Sequence, residues 1–451
     1  MPLSKEIIGT TLETAKGERG YKVVERLTDA GHEAWWVGGA VRDMLQERVP
    51  TDIDIATSAL PEQMLVLFPR ANGAAAALGS IRVSLGHDTF ELTTFREDDE
   101  ASDGRHPESV AFTPDRSKDA LRRDFTVNAL YWHPISRELF DPSGGEADLH
   151  EKLVRFVGDP AVRIKHDTLR MLRAVRVRAT LNGQYHPETY RALQELAPTI
   201  EILSGSRMLG ELEKILMRPN PDRAFEDLWE LRLLDYILPE LRKCKGIPQP
   251  KDYHREGDVW EHTMQCLRSF RDDDPLDVRL AALFHDSGKA ETFSLKGRIR
   301  FDRHATVSAG IVETALGRLQ CPGKRMEKIV WIVKHHMMMG TFFGMPEERK
   351  AHWYFHPWFG DLLRLFWLDV AGTTPADFSL YDRIAHDVEK FLDAHPKPAK
   401  PLLTGEEVMA ILGIQPGAEV GEALQKLHEA QGKGKVTGKQ EARTFLKRMK
   451  R

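Results

Sequence analysis

Residues 36–55 read WVGGAVRDMLQERVPTDIDI, and the rest of the chain makes sense around this stretch. In Asp52-Ile53-Asp54-Ile55 polar and apolar residues alternate, as on a β-strand. That puts both carboxylates on one face and both isoleucines on the other. Two such carboxylates repel unless a divalent cation lies between them, and hard oxygen donors suit Mg²⁺. Gly38-Gly39 leads into Ala40-Val41-Arg42-Asp43, a helix start whose free N–H groups can face a phosphate. A phosphate cradle beside a carboxylate pair is the equipment of phosphoryl or nucleotidyl transfer. A DxD alone more often marks a solvated edge strand; GGxVRD at this spacing reverses that preference.

Around this core, residues 21–30 have helical spacing and end at Gly31, and His32 to Val37 runs as a strand into the glycine pair. Pro61 fits the first turn of a helix, with Thr57 or Ser58 as its cap. Residues 81–85 and 89–96 alternate as strands, which predicts a small mixed sheet backed by helices. Glu91, on the second of these, is placed to act as a third carboxylate that takes the proton from an attacking hydroxyl. A water-facing surface glutamate fits the pattern equally well. Residues 97–109 are polar and aperiodic, a loop and a candidate flap over a nucleotide. Residues 121–130, LRRDFTVNAL, read as a helix with Asp124 and Asn128 on one face. There Arg123 offers a guanidinium to triphosphate oxygens, and Asp124 can accept from a ribose hydroxyl. Residues 141–149 read as a turn-rich hairpin.

GGxVRD…DxD and RRDFTxNAL together resemble the nucleotidyltransferases of the class II CCA-adding and bacterial poly(A) polymerase group. DGRHP in the loop and DPxGG…DL at 141–149 are similar to runs of that family. Further on, residues 166–176 read as one helix, with Leu169, Leu172 and Val175 apolar and Asp167, Arg170 and Arg173 polar at steps of three. Cytosine and adenine each pair an exocyclic amino donor with a ring-nitrogen acceptor. An Asp/Arg pair therefore matches CTP and ATP and rejects UTP and GTP. The family uses EDxxR for this purpose. Here Asp167 and Arg170 match, and His166 stands in place of the glutamate. Ser206 replaces a second family glutamate in ERxxxEL, where Arg207 and Glu211 are expected to pair.

Residues 246–251, GIPQPK, mark a boundary. Beyond it His262, His285-Asp286, His304, His335-His336 and Asp369 form a series of metal-ligand types suited to Mn²⁺, Fe²⁺, Ni²⁺ or Mg²⁺. His336 is taken as the ligand of its pair, although spacing does not separate it from His335. The order resembles the HD phosphohydrolase superfamily, which implies a helical domain cutting phosphate esters with a metal-activated water. In some CCA-adding enzymes such a domain hydrolyses 2′,3′-cyclic phosphates. A structural or RNA-binding role also fits. Residues 395–401 read as a stiff linker. Thr404 and Glu407 form a capping box for a helix ending at Gly413, and Val420, Leu424 and Leu427 form the next apolar face. Thr437 and Gln440 cap a third helix with a basic end, from Lys439 to Lys450 and Arg451.

The 451 residues are 41% hydrophobic and 29% charged, the composition of a soluble multidomain protein. A net charge of −4 excludes a polycation, so RNA contact must come from local basic patches. Cys244, Cys266 and Cys321 make no CxxC pair, which fits a reducing cytoplasm. No secretory leader and no bilayer-spanning run is expected. The expected fold is α+β and multidomain: a nucleotidyltransferase head (20–158) with a small mixed β-sheet, then a helical neck (159–245), an HD domain (246–385) and a helical tail (400–451).

The resemblance implies addition of nucleotides to RNA 3′ ends, CCA to tRNA from CTP and ATP. Asp52 and Asp54 would hold two Mg²⁺, and Gly38, Gly39 and Arg42 the phosphates. Arg123, Asp124 and Asn128 would bind sugar and triphosphate, Asp167 and Arg170 would choose the base, and Arg173 is a further nucleotide-binding residue. Poly(A), CC-only or A-only addition share these motifs. A metal phosphohydrolase with an RNA-binding head is the reading from another class. Oligomeric state is not encoded in any of these patterns.

Overall fold

The strand carrying the aspartates begins at Asp54, one turn of the alternation later than expected, and Asp52 precedes it. The computed structural model describes residues 3–97, 111–252, 254–295, 297–395, 402–432 and 435–449. The proposed flap from 98 to 109, the linker at 396–401 and the basic residues Lys450 and Arg451 lie outside the described residues. The chain divides into two units, Met1–Arg242 with Ala315–Cys321, and Lys243–Thr314 with Pro322–Arg451.

In the first unit six strands form one sheet: β1 Ala34–Val37, β2 Asp54–Thr57, β3 Ser80–Leu85, β4 Asp88–Thr94, β5 Tyr131–Trp132 and β6 Leu139–Phe140. Their order is β3-β4-β2-β1-β5-β6. β2 and β4 run parallel, with Asp54 opposite Glu91. The other pairings are antiparallel. The alternation works as the pattern requires: Ile53 and Ile55 are buried, Asp52 and Asp54 exposed. Trp36 and Trp132, fully buried, meet edge-to-face with centroids 5.1 Å apart and tie β1 to β5.

Gly38, at φ 67° and ψ −124°, makes the turn from β1 into α1 (Gly39–Leu45); a side chain is strained in that conformation. The helix Pro61–Leu67 is capped differently from expectation. Its Gln63 side chain accepts from the Leu60 N–H at 2.8 Å, and the Ser58 hydroxyl accepts from the Glu33 N–H instead. α2 (Arg116–Leu121) ends before the RRDF run, and Thr126–Asn128 is one 3₁₀ turn. The expected helix over 121–130 is therefore absent, yet Asn128 still donates to Asp124 at 3.2 Å. Residues 145–150 form a helix rather than a hairpin, because the Asp141 carboxylate accepts from the N–H groups of Gly145 and Glu146 at 2.8 and 2.9 Å.

The predicted helix over 166–176 is broken. One helix, Pro160–His166, stops at Asp167, which is extended at φ −154° and ψ 104°. Its carboxylate accepts from the Leu169 N–H at 3.3 Å, and α3 (Arg170–Leu181) starts afresh. α4 (Gly205–Leu216) packs along α3, with its Leu209, Leu212 and Leu216 buried and its Glu211 paired to Arg176.

The second unit is helical, apart from the hairpin Phe293–Leu295 with Ile299–Phe301. Its centre is built by α5 (Val259–Arg268), α6 (Leu276–Phe284), α7 (Gly323–His335) and α8 (Phe359–Ala371). The C-terminal helices bury their own core of Val408, Val420, Leu427, Ala442 and Leu446. Thr404 and Glu407 cap their helix reciprocally, and Gly413 ends it at φ 67°. Thr437 bonds Glu441, not Gln440, because Glu441 receives both its N–H and its hydroxyl, at 2.7 and 2.9 Å. Among the described residues no helix is long and apolar enough to cross a membrane.

Candidate active site and metal centre

Every head and neck residue proposed for catalysis or nucleotide binding lines one cavity of about 590 Å³ in the first unit. Asp52, Asp54 and Glu91 form an acidic group within it. The Asp54 carboxyl is pushed up to about 6 by desolvation in the cleft, then by the negative charges of Asp52 and Glu91. Lys16 lies 3.2 Å from Asp52 and offsets part of this charge. A divalent cation would remove the remaining repulsion, so the donor set fits Mg²⁺-type coordination by oxygen.

Opposite charges are arranged around this group. Arg42 donates to Asn128 at 2.7 Å, and Asp124 pairs with Arg173 at 2.6 Å. Arg173 therefore holds Asp124 in the structure. Arg123 lies over the Tyr131 ring and donates to its hydroxyl at 2.7 Å. Asp167 pairs with Arg207 at 2.9 Å. Arg170 donates to the carbonyl oxygens of Arg163 and Arg122 at 2.9 and 3.1 Å, which fixes the guanidinium plane. The expected Arg207–Glu211 pair gives way to these contacts, since buried Glu211 takes Arg176 and Lys214. The break at Asp167 is what brings Asp167 within reach of Arg207. Arg207, read from the sequence only as the partner of Glu211, also lines the cavity, as do Arg176 and Arg218, which carried no signal beyond being basic.

In the second unit His262, His285, Asp286, His304, His336 and Asp369 converge, and of His335 and His336 it is His336 that joins the cluster. His336 Nε2 is 3.2 Å from His304 Nε2, whereas His335 packs against Trp331 and Trp353. The Nδ1 atoms of His285, His304 and His336 face the carbonyl oxygens of Ala282, Phe301 and Val333 at 2.8, 3.0 and 2.7 Å. That of His262 faces Glu256 and the Gly372 carbonyl at 3.1 and 3.2 Å. Such oxygens only accept, so each Nδ1 carries a proton and each ring turns its Nε2 inward. Two Nε2 atoms then face each other 3.3 Å apart at His262/His285 and 3.2 Å apart at His304/His336. Such a contact needs a proton or a bound cation between the two nitrogens.

Asp286 lies between the pairs. One oxygen is 3.3 Å from His285, and the other 3.4 Å from His304. Burial opposes charge on His285, but Asp286 and Asp369 outweigh it and raise the ring to about 10. His336 is lowered to about 4 by burial and by His285. The six residues thus fit metal coordination. Glu256, which orients His262, was not legible because its role depends on a loop folding back.

Three family patterns match the chain: the poly(A) polymerase head domain over residues 34–155, the probable RNA and SrmB binding site of polymerase A over 184–245, and the HD domain over 258–401. The CC-adding tRNA nucleotidyltransferase of Thermus thermophilus is 35% identical over 433 residues, 92% of this chain and 93% of that protein. The chain belongs to the tRNA nucleotidyltransferase family. The A-adding tRNA nucleotidyltransferase of Deinococcus radiodurans is 34% identical over 436 residues, 91% of this chain and 94% of that protein. The solved structure of the Bacillus stearothermophilus CCA-adding enzyme in complex with CTP superposes with a TM-score of 0.66 at 26% identity, covering 97% of this chain and 98% of that one. Membership makes this an enzyme of nucleotidyl transfer that depends on a divalent metal, and the acidic group in the cavity suits that need.

One further residue of this nucleotidyltransferase organises its basic wall. Asp119, with a side chain 1% exposed, receives Arg122 at 2.6 Å, Arg123 at 3.1 Å, the Tyr131 hydroxyl and the Arg96 N–H at 3.0 Å. Burial alone would raise its carboxyl, but Arg123 and Arg122 dominate and hold it at about 2, against an ordinary 3.8. Its stabilising contribution is complete above pH 3.8 and is lost as pH falls through 2. Asp119→Asn should cost about 2.5 kcal/mol at neutral pH and flatten the acid limb of a stability–pH curve below about pH 4. Urea unfolding at stepped pH measures both.

Proposed function

We propose that this nucleotidyltransferase builds the tRNA 3′ end, adding C, C and A from CTP and ATP without a nucleic-acid template. One observation supports this most: acidic, phosphate-binding and base-reading side chains share a single cavity. Asp52 and Asp54 would hold Mg²⁺, which supplies Lewis acidity to the attacking hydroxyl and to the triphosphate. Glu91, beside Asp54, takes the proton from the RNA 3′-hydroxyl. Gly38, Gly39 and Arg42 receive phosphate oxygens, and Arg123 and Asn128 steady the triphosphate. Asp124, held by Arg173, accepts from the ribose hydroxyl. Asp167 accepts from the exocyclic amino group of cytosine or adenine, while Arg170 donates to the ring nitrogen beside it. The two bases share this pattern; uracil and guanine reverse it.

We assign the head to residues 20–158, the neck to 159–245, the HD domain to 246–385 and the tail to 400–451, acting in the cytoplasm. A second reading, addition of only CC or only A, is favoured by the names of the two relatives that match over nearly the whole chain. Single-nucleotide extension separates the readings. Three tRNAs, ending before CCA, after C and after CC, are offered each triphosphate alone and then CTP with ATP. Two C and then one A on the shortest tRNA is expected. Only C, or only A on the CC-ended tRNA, supports the second reading, and a long A tract overturns both.

The second unit is assigned a phosphohydrolase centre using Mn²⁺, Fe²⁺, Ni²⁺ or Mg²⁺, with Asp286 reaching both histidine pairs. His285→Ala with Asp286→Ala is expected to abolish hydrolysis of 2′,3′-cyclic AMP. Hydrolysis retained by the double variant overturns the assignment. Nucleotide addition by the same variant reports whether the fold survived.

A further inference from the structure

Cys266 lies one turn after His262 on α5 and is fully buried. Its Sγ is 3.6 Å from His262 Nε2, the atom that faces His285 Nε2 at 3.3 Å and Asp369 Oδ1 at 3.0 Å. Asp369 Oδ1 is 3.6 Å from His285 Nε2. Tetrahedral coordination with nitrogen or oxygen at about 2.0 Å and sulfur at about 2.3 Å gives donor–donor edges of about 3.3 Å for N···N and about 3.5 Å for N···S. The observed separations approximate those edges, and His262, Cys266 and His285 all present their donor atoms within 4.8 Å of one another. Gly372 leaves room for the thiol: a Cβ there would come within 2.3 Å of Sγ.

We propose that Cys266 is a ligand of the metal centre in the second unit, completing with His262, His285 and Asp369 a four-donor position for a thiophilic divalent cation such as Zn²⁺ or Co²⁺. This rests on the metal reading of the histidine cluster. The sulfur binds as thiolate, its proton passing to solvent as the metal–sulfur bond forms. A thiolate donor shifts preference away from Mg²⁺, which takes oxygen ligands.

The test uses the full-length protein carrying Asp52→Ala and Asp54→Ala, so that the head binds no metal, stripped with chelator and titrated with Co²⁺. Visible ligand-field bands report bound cobalt, and a near-ultraviolet band reports thiolate-to-cobalt charge transfer. Both are expected. Adding Cys266→Ser, and separately Cys266→Ala, should remove the charge-transfer band and leave the ligand-field bands. Thermal melting shows whether these variants fold. Ligand-field bands without charge transfer, or a charge-transfer band that survives both cysteine variants, overturns the proposal and spares the metal centre. Absence of any cobalt bands, in this protein and in its His285→Ala variant alike, overturns the metal reading and the proposal together.

Discussion

Asp54→Ala is expected to lower the rate of CMP and AMP incorporation about 1,000-fold, equivalent to about 4 kcal/mol of transition-state stabilisation. Asp54 and Glu91 are paired across parallel strands, and Asp54 already sits at about 6 because desolvation in the cleft, and then the like charges of Asp52 and Glu91, disfavour its ionised form. Removing it relieves that repulsion, so the variant should fold at least as well as the parent. It also removes the donor through which β2 holds the cation, so the chemistry fails. tRNA affinity, measured separately by filter binding, should change little, because RNA phosphates do not contact a carboxylate. Full nucleotide addition by folded Asp54→Ala would sink the assignment of this cavity. Asp54→Asn keeps the shape but not the charge and should fail nearly as badly.

The second large effect concerns base choice. Arg170→Ala should reduce kcat/KM for CTP and ATP by about 5- to 150-fold, the worth of one good base-edge contact at about 1–3 kcal/mol. UTP and GTP incorporation, which never used that contact, should stay where it was, so discrimination collapses from the favoured side. The guanidinium is pinned by the carbonyls of Arg163 and Arg122, so Arg170→Lys should not restore selectivity. Lysine has one compact charge and cannot satisfy two fixed carbonyls and a base together. Equal losses for all four triphosphates would mean that Arg170 supports the cavity wall rather than reading the base.

Much of this protein was legible without coordinates. Alternation at Asp52–Ile55, the glycine pair before Arg42 and the His-Asp series each bind chemistry to a short local pattern, and local patterns survive in any fold that keeps their spacing. The capping box at Thr404 and Glu407 was readable for the same reason: its geometry closes within one turn. Errors fell where a tertiary contact competes with a local one. Residues 166–176 have helical periodicity, yet the helix breaks at Asp167, whose carboxylate bonds to the Leu169 N–H and pairs with Arg207 forty residues away. The RRDF run reads as helical too, but Arg122 and Arg123 turn back onto Asp119.

What the sequence determined by itself was the kind of chemistry and a set of candidate residues for it, because residue type and spacing point to both. What only the tertiary structure decided was which distant groups meet: Glu91 beside Asp54, Asp119 beneath two arginines, His336 rather than His335, and Cys266 against His262. Those meetings depend on strand register, helix breaks and the facing of packed helices. Each is settled by burial summed over the whole unit and not by any short stretch of chain.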